Sequence, residues 1–449
     1  MKQSVDLVIE ARWLIPIIPK NKLSEHQAVV IQSGAIVDIC SIAQANEQYI
    51  AKECIQLSEH ILIPGLINLH AHASMNLMRG LADDLPLMPW LEQHIWPAEK
   101  KFVSPNFVHD GTLLACAEML RSGITTFNDM YFYPESAATA IIQSGMRANL
   151  GLVVLEFATQ YANDAESYID KGTQARDALK NEPLISFSFA PHAPYTVSDE
   201  TFKQINTLSA QLNIGTHTHL HETKAEIEQS EQTYGMRPLM RLAKLGLLGA
   251  TTTFAHAVHL NEFEISLLAD NGCSIAHCPS SNLKLASGVA PVAHYAKQGI
   301  NVGLGTDGAA SNNRLDLFTE MRLAALLAKG FSGDATAVPA YQALEMATIN
   351  GAKALGLDDK IGSIEIGKLA DLTAVKLSDS NMQPFFDVAS HLVYVAEREQ
   401  VSHVWVNGDL KYQQSNHNNV VYSNIEPQEL ADVAAKWQIK LSEFKSNQL

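Results

Sequence analysis

Ile63-Pro-Gly-Leu-Ile-Asn-Leu-His-Ala-His72 is the stretch on which the reading of this chain turns. Pro64-Gly65 is a turn signal, and Leu66-Ile-Asn-Leu69 reads as a short buried strand. Side chains alternate across a strand, so His70 and His72 point the same way. Two imidazoles on one face at the end of a buried strand can grip one metal ion. His-x-His alone is a weak signal that also occurs as two ordinary polar residues at a strand end, so the surrounding chain has to decide.

Downstream of Pro64, short apolar strands alternate with longer amphipathic stretches. Eight strands are expected, at Leu66–Leu69, Ile124–Asn128, Ala148–Val154, Ile185–Ala190, Ile214–His219, Thr251–His256, Cys273–His277 and Ile300–Gly305. Helices such as Phe107–Arg121, Thr201–Leu212, Met236–Leu245 and Leu260–Asn271 lie between them. This alternation predicts an α/β fold, a (β/α)8 TIM barrel over residues 63–364. A doubly wound sheet is the alternative, but its Gly-x-Gly-x-x-Gly turn is missing after the first strand.

Outside the barrel the pattern is different. Val5–Glu10, Ala28–Ile31 and Ala35–Ile39 read as short strands before it. Leu372–Leu377, His391–Val395 and Val401–Val406 read as strands after it, and Asn407-Gly408 follows as a hairpin turn. Neither set closes a core by itself. Residues 1–62 and 365–449 are therefore expected to combine into one small β-sandwich, with an amphipathic helix over Pro427–Lys445 at the end.

The 449 residues suffice for one large and one small unit. The 48 acidic against 32 basic residues give a net charge of −16, which disfavours binding to nucleic acid or anionic membrane. Cys40, Cys54, Cys116, Cys273 and Cys278 are odd in number and irregular in spacing. That argues for a reducing compartment and against a disulfide framework or a thiolate zinc site. The first residues lack the apolar core of a signal peptide, and no apolar run reaches the length of a membrane span. The cytoplasm is the expected location.

Catalytic groups of such barrels sit where the strands end. Strand 1 ends in His70 and His72. Strand 4 runs into His192 and Tyr195, and strand 5 into His217, His219 and Glu222. Strand 6 gives His256 and His259, strand 7 His277, and strand 8 Asp307. One such histidine would be a satisfied structural residue; a ring of them at one mouth points to a metal. Imidazole and carboxylate donors without thiolate suit zinc, with Fe2+ or Mn2+ as alternatives. His70, His72, His219 and Asp307 can form a single site with room for water. Zinc lowers the pKa of such a water from about 15.7 to about 7.

Pro-Gly-Leu-Ile-Asn-Leu-His70-Ala-His72, His219-Leu-His-Glu222, His256-Ala-Val-His259 and Gly-Thr-Asp307-Gly-Ala-Ala-Ser-Asn-Asn together resemble the amidohydrolase superfamily. Within it the chain is similar to the branch of 5′-methylthioadenosine/S-adenosylhomocysteine deaminases and chlorohydrolase-like enzymes. The resemblance implies one zinc held by His70, His72, His219 and Asp307. It implies that Asp307 also accepts the proton of the attacking water and that His256 orients that water. Glu222 would protonate the ring nitrogen beside the attacked carbon, and His192 would contact the substrate. The strand-4 lysine of two-metal members is absent from Leu184–His192, which favours a single metal.

Substrate expectations rest on the excursion after strand 1. Trp90 and Glu99 match the adenosine-deaminating branch in type and spacing, Glu99 as acceptor for the ribose hydroxyls and Trp90 as an apolar wall. No arginine or lysine follows strand 3, where Glu156 has the wrong sign for an amino-acid carboxylate. The expected reaction is hydrolytic deamination of 5′-methylthioadenosine, with adenosine also a candidate and S-adenosylhomocysteine disfavoured. Hydrolysis of guanine, a triazine or another aminated or halogenated heterocycle is the alternative, and a non-catalytic scaffold of the same fold the remote one. The resemblance also implies a homo-oligomer, a dimer or a tetramer. His221, His259 and His277 could each reach the pocket or equally be structural, Ser311-Asn312-Asn313 reads as pocket rim, and Lys224–Glu231 as a solvated helix face.

Overall fold

Apolar side chains on both faces make a strand that must be covered on both sides, and the central strands here are of that kind. The computed structural model describes residues 2–416 and 419–446. Four N-terminal strands come first, β1 (Gln3–Leu14), β2 (Ser24–Gln32), β3 (Ala35–Ser41) and β4 (Tyr49–Pro64). Eight strands then alternate with helices: β5 (Leu66–Ala71), β6 (Ile124–Tyr131), β7 (Arg147–Val154), β8 (Ile185–Pro191), β9 (Gly215–Leu220), β10 (Thr252–His256), β11 (Ser274–His277) and β12 (Asn301–Leu304). These eight form one parallel sheet in sequential order. Every residue of β5, β6 and β7 is buried.

The two ends of this sheet meet at the strand that opened the sequence reading. The Asp307 backbone N–H donates to the His70 carbonyl at 2.9 Å. Asn68, fully buried, donates to Thr306 Oγ1 at 2.7 Å and accepts from the Thr306 N–H at 2.9 Å. A polar side chain in an apolar strand is thus satisfied by closing the barrel. Gly305 permits the approach, because a Cβ there would lie 2.8 Å from the His70 Cβ and 2.9 Å from Cys278 Sγ.

Both chain ends build a second, mixed sheet. Its remaining strands are β13 (Leu372–Lys376), β14 (Val401–Val406), β15 (Asp409–Asn416) and β16 (Asn419–Tyr422), and the order is β16-β15-β14-β13-β4-β1-β2-β3. Leu7, Ile9, Val29 and Ile31 from one end share an apolar cluster with Leu372, Ala374 and Trp405 from the other. Asn407 and Gly408 have φ of 53° and 78°, the positive values that a two-residue hairpin turn of this hand requires. Arg147 on β7 makes a two-pronged ion pair with Asp371 beside β13, at 3.0 and 3.2 Å, tying barrel to sheet.

Two local expectations are corrected. His391–Val395 is not a strand but lies in the helix Val388–Tyr394, started by Asp387, whose side chain accepts from Ser390 N. Val388, Leu392 and Val393 are its buried positions, a helical spacing that a five-residue apolar window hides. β4 is a sixteen-residue strand not anticipated from the sequence; its polar first half is mostly exposed and held by parallel pairing to β1. The expected terminal helix spans Pro427–Ser446 and packs Trp437 and Phe444 onto Phe102 and Phe107 of the barrel. Among the described residues no helix is long and apolar enough to cross a membrane.

Candidate metal centre and its cavity

At the C-terminal ends of the barrel strands, four side chains from the ends of two strands, β5 and β9, and the loop after β12 converge. His72 Nε2 stands 3.3 Å from His219 Nε2 and 3.3 Å from Asp307 Oδ1, and His70 Nε2 is 3.4 Å from the same oxygen. A tetrahedral ion with bonds of about 2.05 Å has ligand–ligand edges of about 3.3 Å. His70 Nε2 is buried and has no hydrogen-bond partner, which is costly unless something else satisfies it. Spacing, donor type and the orphaned nitrogen all fit one divalent metal.

The ring orientations agree with that reading. His72 Nδ1 is 2.6 Å from the Met130 carbonyl and His219 Nδ1 is 2.6 Å from the His192 carbonyl, so each donates there and leaves Nε2 free as a ligand. His70 Nδ1 is 3.0 Å from His217 Nε2, and His217 in turn contacts Asn128. Asp307 presents Oδ1 to the histidines while Ser281 and Ser311 both donate to its Oδ2 at 2.6 Å. Burial pushes the Asp307 carboxyl up, but the neighbouring imidazoles of His70 and His72 outweigh it and hold the group well below the usual range.

His256 also lies within ligand distance of His70 and Asp307. Its Nδ1 is 2.8 Å from Asn282 Oδ1, and its Nε2 is 3.8 Å from Glu222 Oε2. Burial raises the Glu222 carboxyl against the pull of His256. Glu222 is delivered by an unusual turn, since His221 just before it has φ of 50°. His256, Ala257 and Asp307 share positive φ, at 68°, 46° and 62°, so strained backbone gathers at this one mouth.

The turn at Glu222 is held by a residue that the sequence reading misassigned. Glu226, expected on a solvated helix face, is buried; it accepts from His221 N at 3.0 Å and Glu222 N at 2.9 Å. Thr223 caps the same helix, Lys224–Tyr234. The pattern Thr223-Lys-Ala-Glu226 carried this capping signal in the sequence. Ser281 and Asn128 were likewise not assigned to the site; Ser311 was read only as pocket rim, and His217, two residues before His219 on the same strand face, was noted at the strand end without a role.

A cavity of about 710 Å³ opens over the centre. It is lined by His72, His192, His219, Glu222, His256 and Asp307 at its floor. Trp90, Leu91, Trp96, Phe132, Leu155 and Phe157 make its wall predominantly apolar. Trp90 is buried, with its indole N–H donating to the Ala82 carbonyl at 3.1 Å. Glu99 faces the cavity and accepts from the Tyr131 hydroxyl at 2.9 Å; burial pushes its carboxyl up to about 7 against that bond. Of the nine residues given site roles from the sequence, eight line this cavity, and His70 lies against Asp307 at its floor. His221 and His259 are engaged elsewhere, with Leu239 N and the Ser287 carbonyl. Glu156 accepts from Ser198 N, and Lys100 is the one lysine or arginine among the described residues that line the cavity.

Comparison with known proteins agrees with this architecture. The Amidohydrolase family matches residues 61–411. A 5-methylthioadenosine/S-adenosylhomocysteine deaminase of Saccharophagus degradans is 46% identical over 440 residues, 98% of either chain. One of Teredinibacter turnerae is 45% identical over 438 residues, again 98% of either chain. The solved structure of an adenosine deaminase from Xanthomonas campestris with bound zinc superposes with a TM-score of 0.96 at 43% identity, over 99% of this chain and 100% of that one. The chain belongs to the amidohydrolase family.

Proposed function

We propose that the protein is a zinc-dependent aminohydrolase that converts the adenine ring of 5′-methylthioadenosine to hypoxanthine with release of ammonia. The carrying observation is one cavity that joins the His70–His72–His219–Asp307 centre, Glu222 and His256 to an apolar wall and the carboxylate of Glu99. The names of the similar deaminases and the zinc in the Xanthomonas structure support the reading. The metal would be held by His70, His72, His219 and Asp307, and bound there it supplies a water acidic enough to ionise near neutrality.

The protein's own groups handle the rest. Adenine C6 is a poor electrophile until N1 is protonated. Glu222, buried and raised, carries a proton where an exposed carboxylate would not, and donates it to N1. Asp307 accepts the proton of the attacking water through Oδ1, while Ser281 and Ser311 fix its other oxygen. His256 orients the water and steadies the charge developing on its oxygen. A C6–O bond forms and the C6–N bond breaks. Asp307 hands the proton it accepted to the amino group, which leaves as ammonia, and Glu222 takes the second water proton as the C6 carbonyl forms, so both carboxyls return to their starting states. His192 contacts the base, Trp90 walls the 5′ substituent and Glu99 accepts from the ribose.

Adenosine fits the same contacts. S-Adenosylhomocysteine is the poorer substrate, since among the described residues Lys100 at the exposed mouth is the one lysine or arginine lining the cavity that could meet its carboxylate. The chain is further proposed to act as a homo-oligomer, which light scattering in solution tests. The activity is tested by incubating zinc-loaded protein with 5′-methylthioadenosine, adenosine, S-adenosylhomocysteine, guanine and a triazine, following absorbance and ammonia. Conversion of methylthioadenosine is expected to be fastest. Turnover of guanine or the triazine with all nucleosides inert would overturn the reading. Glu222→Gln is expected to lose at least about 100-fold in kcat with zinc retained; near-normal turnover would refute its role.

A further inference from the structure

Tyr131 ends β6 in the lining of the cavity and is not among the residues the proposed chemistry uses. Its ring is buried beside Phe132, and its hydroxyl donates to Glu99 Oε1 at 2.9 Å. Burial keeps this phenol protonated, so it is a donor toward Glu99. Among the described residues no other group hydrogen-bonds the Glu99 carboxylate, which lines the cavity.

We propose that Tyr131 is a positioning residue that makes Glu99 a reader of the vicinal hydroxyl pair of a ribonucleoside. The proposal rests on the nucleoside reading given above. A carboxylate end is loosely held about its last torsion, with a broad two-fold preference. The Tyr131 hydroxyl pins one oxygen and so fixes the plane of the other. A donated hydrogen bond also favours the ionised form, which only accepts. Two adjacent sugar hydroxyls are two donors, and an acceptor-only group of fixed orientation suits them. A neutral carboxyl would present a hydroxyl of its own and pair with one of them poorly. Selectivity for a ribose over a sugar lacking the 2′ and 3′ hydroxyls then depends on a residue that acts through Glu99.

The test compares Tyr131→Phe with the parent enzyme, zinc-loaded, on adenosine and on 2′,3′-dideoxyadenosine, the latter as substrate or as competitive inhibitor. Phenylalanine keeps the buried ring. For adenosine, KM is expected to rise roughly 10-fold, the order of one lost charge-assisted hydrogen bond, with kcat within about 2-fold. The KM or Ki of the dideoxy compound is expected to stay the same. Glu99→Gln, made in parallel, is expected to show the same selective loss, and the double variant to lose little more than Glu99→Gln alone. Equal losses on both compounds, a fall in kcat at constant KM, or additive losses in the double variant would overturn the role of Tyr131. A parent enzyme that turns over no nucleoside overturns the proposed function and this inference with it; a parent that deaminates adenosine while Tyr131→Phe keeps full discrimination overturns the inference alone.

Discussion

Replacing Glu226 by glutamine tests how the fold aims Glu222. The native carboxylate accepts one hydrogen bond on each oxygen, from His221 N and Glu222 N, at 3.0 and 2.9 Å in a buried position. Glutamine has the same shape but one acceptor. Whichever way its amide lies, one backbone N–H faces an NH2 and its bond is lost. A hydrogen bond to a charged group contributes about 1.5–3 kcal/mol. The segment concerned holds His221 at φ of 50° and carries Glu222 into the cavity. The loss therefore falls on the placement of the proton donor. At about 1.36 kcal/mol per decade, it corresponds to a fall in kcat of about 10- to 150-fold. The assay is steady-state deamination of methylthioadenosine, with zinc content measured on the same preparation. KM is expected to change by less than about 2-fold, because the apolar wall and Glu99 are untouched. Glu228→Gln on the exposed side of the same helix is the control and is expected to behave as the parent. A folded, zinc-loaded Glu226→Gln enzyme with unchanged kcat, or an equal loss in Glu228→Gln, would refute the reasoning.

Other consequences follow from the same geometry. Zinc added at a hundredfold excess over its Kd is expected to stabilise the chelator-stripped protein by about 2.7 kcal/mol, read as a rise in Tm, and Asp307→Asn to remove most of that gain. Burial raises the Glu222 carboxyl, and the donating form is the protonated one; kcat is therefore expected to fall as pH rises through that raised pKa, and a pH–rate profile without this alkaline limb would count against Glu222 as the acid. Arg147→Ala leaves Asp371 buried without its partner and is expected to cost about 3–5 kcal/mol in denaturant unfolding, with activity of the folded fraction retained; a cost below about 1 kcal/mol would show that the Asn407 N–H alone satisfies Asp371.

How much of this was legible in the sequence depended on the range of the interaction concerned. Strand and helix periodicity is local, so eight β-α units and the barrel could be read directly, and a strand that ends in polar residues announces what it carries to the mouth. His70, His72, His219, Glu222, His256 and Asp307 were visible for that reason. Residues 391–395 went astray because a helix and a strand look alike over a five-residue, largely apolar window.

What only the tertiary structure decided are the pairings between segments far apart in the chain. Asn68 with Thr306 closes the barrel, Ser281 ties down Oδ2 of Asp307, and Tyr131 holds Glu99. None of these is marked by spacing, because a hydrogen bond between residues tens or hundreds of positions apart leaves no period in the sequence. Glu226 is the intermediate case. Its capping pattern was written locally, but its burial, which turns a surface charge into a clamp on the Glu222 turn, came only from the helix packing against the barrel. The sequence by itself determined which chemical groups the site has; the folded structure decided which atom of each is tied down and which is left to meet the substrate.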